Sequence, residues 1–158
     1  VVGDCIDLGS GSSTKTRLLL SAYEALGYGI RYVPIDVSPV ILEVSAQALL
    51  KEFAHLTIHG LVSTYELALQ ELPVSSLPTR IVVFLGSTLG NFTPEQCEQL
   101  FTQIYQALDP GDILTEISRK FNLATMAANL EKHYLQPLYR WTDPQHWFGV
   151  VLCQKTVP

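Results

Sequence analysis

Apolar positions along this chain of 158 residues fall into short runs and helical stripes that take turns from one end to the other. A first apolar run through Cys5, Ile6 and Leu8 stops at Gly9-Ser10-Gly11, and Leu18, Leu19, Ala22 and Leu26 then recur at helical spacing. Gly27 and Gly29 close that helix, as glycines beyond a C-terminal cap do. Residues 30–38 read as a second strand, and Val40, Ile41, Val44, Ala48 and Leu49 as the apolar stripe of a second helix. A third strand over 56–62 precedes a short helix carrying Leu67, Leu69 and Leu72, which Pro73 ends. A fourth strand over 80–85 follows Pro78. Thr93-Pro94-Glu95-Gln96 is a capping signature, and Cys97, Leu100, Phe101, Ile104, Tyr105 and Leu108 make the clearest amphipathic stripe in the chain. After a tight turn at Asp109-Pro110-Gly111-Asp112 come a fifth strand over 113–118 and a helix around 123–134. Two apolar runs, 138–141 and 147–152, face each other across Thr142-Asp143-Pro144-Gln145 as a closing hairpin. Alternating strands and helices predict an α/β fold, a mostly parallel sheet with helices on both faces, whose ligand lies beyond the carboxyl ends of the strands.

Composition narrows this picture. With 47% hydrophobic and 16% charged residues, the chain is expected to bury a sizeable core as one domain over 1–158. A net charge of −5 and a pI near 5.2 argue against a nucleic-acid partner. No apolar run approaches the roughly 20 residues that span a bilayer. Cys5, Cys97 and Cys153 are scattered and odd in number, which fits neither a disulfide framework nor a zinc site and points to a reducing cytoplasm. The histidines at 55, 59, 133 and 146 have no ligand spacing, so no metal is expected. With no initiator Met and a strand almost at once, the chain reads as a trimmed domain or a fragment.

The glycine turn carries the chemistry. Glycines let the backbone approach a ligand closely, and the helix that follows offers free N–H groups to it. Read as a phosphate loop, G-S-G-S-S-T-K-T has Thr14 where the second glycine belongs, and residues 81–86 end without the acid that metal-bound triphosphate chemistry wants. Thr14 also fills the third glycine place of the dinucleotide fingerprint. What remains is Asp7, the Gly9-x-Gly11 turn and an acid, Asp36, at the end of the next strand. That pattern resembles the S-adenosylmethionine site of class I methyltransferases. Asp36 lies about 25 residues past Gly11, near the roughly 20 at which an acid reaches a cofactor ribose. Its alternative job, starting the next helix, already has holders in Ser38 and Pro39. Tyr65 and its neighbours fall where an adenine would lie.

Several blocks carry a more specific resemblance. Asp7-Leu8-Gly9-Ser10-Gly11-Ser12-Ser13-Thr14-Lys15-Thr16, Tyr32-Val33-Pro34-Ile35-Asp36-Val37-Ser38 and Phe84-Leu85-Gly86-Ser87-Thr88-Leu89-Gly90-Asn91-Phe92 together resemble the histidine-specific Nα-methyltransferases of ergothioneine biosynthesis. Thr115-Glu116-Ile117-Ser118-Arg119-Lys120-Phe121, Trp141-Thr142-Asp143 and Phe148-Gly149 resemble that family's C-terminal blocks. The resemblance implies a Rossmann-like class I fold with strand order 3-2-1-4-5-7-6, S-adenosylmethionine as cofactor, and N-methylation of histidine or a related small amine. It places Asp7, Gly9, Ser10, Gly11, Ser12, Lys15, Asp36, Val37, Thr64, Tyr65, Leu85 and Gly86 around the cofactor. Within that set it gives Lys15 the methionine carboxylate and Asp36 the ribose. It assigns the substrate's amino-acid end to Asn91 with Gly86 close by, and the imidazole to Glu116 and Ser118. The residues alone favour Glu116 pairing with Arg119 or Lys120 at the surface. The chain departs from the family in three ways. It looks like the family's core without the N-terminal helical part. The turn at 109–112 runs almost directly into Thr115-Glu116 where the family carries a substrate-binding insertion, and Thr64 stands where the family has an acid. Two other functions stay open at this point, a cofactor-binding remnant without turnover and a phosphate-loop nucleotide binder.

Overall fold

The computed structural model of the chain describes residues 3–73, 75, 77–85, 92–110, 112–118, 122–145 and 149–157, with backbone alone over 115–118. Eight strands make one sheet: β1 (Gly3–Leu8), β2 (Ile30–Asp36), β3 (Leu56–Ile58), β4 (Leu61–Val62), β5 (Thr79–Phe84), β6 (Ile113–Ser118), β7 (Leu135–Thr142) and β8 (Gly149–Lys155). Five helices alternate with them: α1 (Thr16–Ala25), α2 (Pro39–Glu52), α3 (Tyr65–Gln70), α4 (Pro94–Ala107) and α5 (Leu123–Lys132). The strands lie in the order β3-β2-β1-β5-β6-β8-β7, with β4 continuing the β3 edge along β2. All pairs are parallel except β6–β8 and β7–β8. Counting β3 and β4 as one strand, this is the 3-2-1-4-5-7-6 order that the resemblance implies.

The alternation of side chains along the central strands builds a core on each face of the sheet. Ile6, Leu8, Val82 and Phe84 meet Leu100, Phe101 and Ile104 of α4 and Leu130 of α5 on one face. Cys5, Tyr32 and Val83 meet Leu20 of α1 and Leu49 of α2 on the other. Of the α4 stripe, Cys97, Leu100, Phe101, Ile104 and Leu108 are buried as predicted and Tyr105 is half-buried, and Thr93 and Gln96 form the reciprocal capping box. The two helices of the other face correct the sequence reading. In α2, Val40, Ile41 and Val44 are exposed, while Leu42, Ser45 and Leu49 face the sheet. In α1, Leu18 and Leu26 are exposed, and Thr16 and Leu20 are buried. Each helix carries apolar residues at helical spacing on two faces, so periodicity cannot say which one the sheet takes.

Three boundaries also move. The third strand is broken at His59-Gly60, opposite Val33 and Pro34 of β2, and Pro34 has no N–H to give a ladder. Helix α3 stops at Gln70, so Leu72 packs on the core from outside it, and Leu67 faces solvent. The closing hairpin is present, but β7 begins at Leu135, before the run at 138–141. As an edge strand it carries Pro137 and a register shift between Pro137 and Tyr139, both features that discourage pairing with another chain.

The amino end of the sheet is bound by charge. Asp4, 1% exposed, takes two hydrogen bonds from Arg31, at 2.8 and 2.6 Å, and Arg80 Nε stands 3.8 Å away. Arg80 also donates to the carbonyls of Ala107 and Pro73, and its backbone N–H to Asp112. Lys155 donates to the carbonyls of Tyr105 and Leu108 at the end of α4, with its ammonium 4.2 Å from the Tyr105 ring centre.

Candidate functional site

At the opposite, carboxyl end of β1 the chain turns through Gly9 (φ +69°) and Gly11 (φ +52°), with Ser13 also left-handed at +55°. The N–H groups of Gly9 and Ser10 both donate to the Ile35 carbonyl, which ties the turn to β2. A Cβ built on Gly11 meets nothing within 4 Å, so glycine is needed there for its backbone angle and leaves the turn open to a neighbour.

Asp36, the last residue of β2, holds both sides of this end together. Its Oδ2 accepts the Gly11 N–H and its Oδ1 the Ser38 N–H, each at 3.0 Å. Ser38 caps α2 by accepting from Ile41 N–H, so the helix start does not need the Asp36 carboxylate. Each carboxylate oxygen keeps a lone pair for a further donor. Lys15 reaches across the sheet and donates to the Leu85 carbonyl at 2.6 Å, just past the end of β5.

Asp7 turns inward. Its Oδ2 accepts the Thr16 hydroxyl and, at 2.7 Å, the Tyr32 phenol. Burial pushes the Asp7 carboxyl above its ordinary range; the two hydroxyls and Lys15 pull the other way, and the Asp36 charge adds to the rise. Among the described residues no ion pair reaches Asp7 or Asp36.

A cleft of about 450 Å³ opens beside the turn, lined by Gly9, Asp36, Val37, Thr64, Tyr65 and Phe92 and walled by Gln96, Gln99 and Gln103 of α4. Tyr65 lines it, edge-on to Phe84 at 5.5 Å and tilted against Phe92 at 6.1 Å. Thr64 precedes α3 and makes no side-chain cap bond. Val37 is two-thirds exposed at the rim. Ser10 Oγ is buried with no hydrogen-bond partner, and the Ser12 hydroxyl bonds Thr14 at the surface.

Of the residues singled out from the sequence, Gly9, Asp36, Val37, Thr64 and Tyr65 therefore line one cleft, with Gly11 bonded to Asp36. Lys15 and Leu85 meet each other beside it, and Asp7 braces the turn from within. Gly86 and Asn91 lie outside the described residues. Glu116 and Ser118 are placed by backbone alone on β6, opposite Val151 and Gly149 of β8. Pattern reading missed the α4 glutamines and the trio Ser13, Thr16 and Tyr32. The available signal was a tyrosine inside an apolar strand, because a buried phenol needs a partner. Among the described residues no cluster of His, Cys, Asp or Glu could hold a metal ion, and no helix is long and apolar enough to cross a membrane.

Comparison with known proteins fits this geometry. A family model described as "Histidine-specific methyltransferase, SAM-dependent" matches residues 2–114 and 111–155. Its two segments overlap at 111–114. Histidine N-alpha-methyltransferase of Mycobacterium tuberculosis is 39% identical over 109 residues, covering 69% of this chain and 33% of that protein. The 4-dimethylallyltryptophan N-methyltransferase easF of Claviceps fusiformis is 39% identical over 93 residues, covering 56% of this chain and 26% of its own. The apo structure of the S-adenosylmethionine-dependent methyltransferase SibL superposes with a TM-score of 0.70 at 18% identity, over 99% of this chain and 51% of that one, a likeness of fold. The match covers about a third of the length of these curated histidine N-alpha-methyltransferases. The phosphate-loop alternative is set aside by the family match together with the strand order. On both grounds the chain belongs to the S-adenosylmethionine-dependent, histidine-specific methyltransferase family.

Proposed function

We propose that residues 1–158 form one S-adenosylmethionine-binding domain that carries out, or contributes the donor half of, N-methylation of histidine or a related small amino acid. The observation that carries this reading is the Asp36 carboxylate, fixed by the N–H groups of Gly11 and Ser38 at the mouth of the cleft. Its free lone pairs suit the two hydroxyls of a ribose, each charge-assisted bond contributing about 1.5–3 kcal/mol when buried. The residues fit the cofactor in other respects. The orphaned Ser10 hydroxyl and the open side of Gly11 offer a cradle, and Tyr65 offers a flat apolar surface for adenine. Val37 and Thr64 border that surface. Lys15 keeps two of its three protons for a carboxylate after bonding Leu85. Asp7 acts through the turn, and Ser12 lies at its outer edge.

Bound S-adenosylmethionine supplies an electrophilic methyl sulfonium. The chain's part is to hold that donor and to exclude water while a neutral amine lines up with it, and orientation of this kind can contribute about 7–11 kcal/mol. Gly86 and Asn91 for the amino-acid end and Glu116 and Ser118 for the imidazole remain proposals drawn from the family resemblance. The easF match keeps the amine of another aromatic amino acid as a second substrate reading. The three cysteines are buried, in keeping with work in a reducing compartment such as the cytoplasm. The test is calorimetry with S-adenosylhomocysteine and ATP, followed by methyl transfer to histidine, tryptophan and a panel of small amines. Binding of S-adenosylhomocysteine but not ATP is expected, with transfer to histidine first. Binding without any transfer would leave a cofactor-holding remnant.

A further inference from the structure

Beneath the glycine turn sits a polar cluster that reaches the surface nowhere: Asp7, Ser13, Thr16 and Tyr32 are each 2% exposed or less. Tyr32 comes from β2, four residues before Asp36, and lies opposite Cys5 of β1. Its phenol oxygen is 2.7 Å from Asp7 Oδ2 and 2.8 Å from Ser13 Oγ. Ser13 adopts a left-handed backbone that is uncommon for any residue but glycine, and its N–H donates to the Ser10 carbonyl at 2.9 Å. The pose of Ser13 therefore sets Ser10, and with it Gly11, whose N–H meets Asp36. The groups facing Asp7 are the buried Cys5 thiol of β1, Thr16 from α1, Tyr32 from β2, and the charges of Lys15 and Asp36 from the turn and the end of β2.

Resting on the reading of this turn as the methyl-donor site, we propose that Tyr32 is a positioning residue for it. The phenol clamps Asp7 and Ser13 together and so holds the turn at 9–13 in the shape that presents Gly11 to Asp36 and to the cofactor. Burial and the Asp7 charge raise the phenol's own ionisation far above neutrality, so it remains a donor at every working pH. Without it Asp7 keeps one hydroxyl instead of two, and its carboxylate takes up a proton at higher pH.

The test is Tyr32→Phe in the full chain, with S-adenosylhomocysteine affinity followed by calorimetry from pH 5.5 to 8.5 and amide hydrogen exchange followed at 9–13. The expected result is at least a fivefold loss of affinity at pH 8 that grows toward pH 5.5, with faster exchange at the turn. Ser13→Ala leaves both hydroxyls on Asp7, so it should cost less affinity and keep the parent's pH profile. Leu135→Ala, buried away from the turn, controls for lost stability and should bind as the parent does. Parent-like affinity and exchange in Tyr32→Phe overturn the proposal, as does an equal affinity loss in Leu135→Ala at matched Tm. If Tyr32→Phe does not fold, Ser13→Ala decides, and unchanged affinity together with unchanged exchange overturns it. If the parent itself does not bind S-adenosylhomocysteine, the functional reading fails, and exchange at 9–13 still judges the clamp.

Discussion

Two aspartates three residues apart on β1 have opposite surroundings. Asp4, at the amino end of the sheet, is matched by two guanidinium groups, one of them bidentate. Among the described residues, the hydrogen bonds to Asp7, at the carboxyl end, come from neutral hydroxyls, and those to its neighbour Asp36 from backbone N–H groups. At the amino end the charge of Asp4 is neutralised internally, which gives that carboxylate a structural part. At the other, among the described residues, no cation stands within hydrogen-bond reach of either carboxylate, a setting suited to a ligand that is itself a sulfonium and an ammonium. The lesson is that stability and binding are separated along a single strand, and that the partner's charge tells the two apart.

The largest effect that would break this contrast lies at the amino end. Asp4→Ala removes the buried carboxylate that Arg31 and Arg80 face and should lower unfolding free energy by about 3–5 kcal/mol, read by urea denaturation. S-adenosylhomocysteine affinity of the fraction still folded should be unchanged, and a selective loss of binding there would erase the distinction between the ends. Asp36→Ala is the mirror experiment. It should weaken S-adenosylhomocysteine at least about tenfold, or ~1.4 kcal/mol, by calorimetry, with little change in Tm. Lys155→Met removes the donor from the two carbonyls at the end of α4 and should cost about 1–2 kcal/mol of stability, again without touching affinity.

The smallest effect is the most diagnostic. The Asp7 carboxyl is raised by burial, so its contribution to stability is fully present below its ordinary value of 3.8 and is lost as pH rises through the higher folded value. At neutral pH the buried carboxylate therefore opposes folding. Asp7→Asn keeps an oxygen for Thr16 and Tyr32 and removes the charge. Its Tm at pH 7 should equal or exceed the parent's, its Tm profile between pH 4 and 8 should be flatter, and its cofactor affinity should fall. A Tm drop at pH 7 would show that the charge is structural after all.

Much of the fold was legible because it is local. The capping box at Thr93 and Gln96, the glycines at 9, 11 and 27 and the α4 stripe each state their conformation within a few residues. The Asp36 position could be read too, since strand end and glycine turn are separated by a spacing that the α/β geometry fixes. The outward faces of α1 and α2 were not legible. Val40 and Leu42 are equally apolar, and only docking on the sheet selects one. Nor could the break at His59-Gly60 be read, because its cause, Pro34, lies in the neighbouring strand.

What the sequence determined by itself is the order of elements, the glycine turn and the acids that flank it, because backbone angles and hydrophobic periods act over a few residues. Only the tertiary structure decided what those acids face. Arg31 reaches Asp4 and Tyr32 reaches Asp7 across 27 and 25 residues of chain, and both arrive through the β1–β2 register. A carboxylate's role follows from its partner and its burial, and neither exists until the strands have paired.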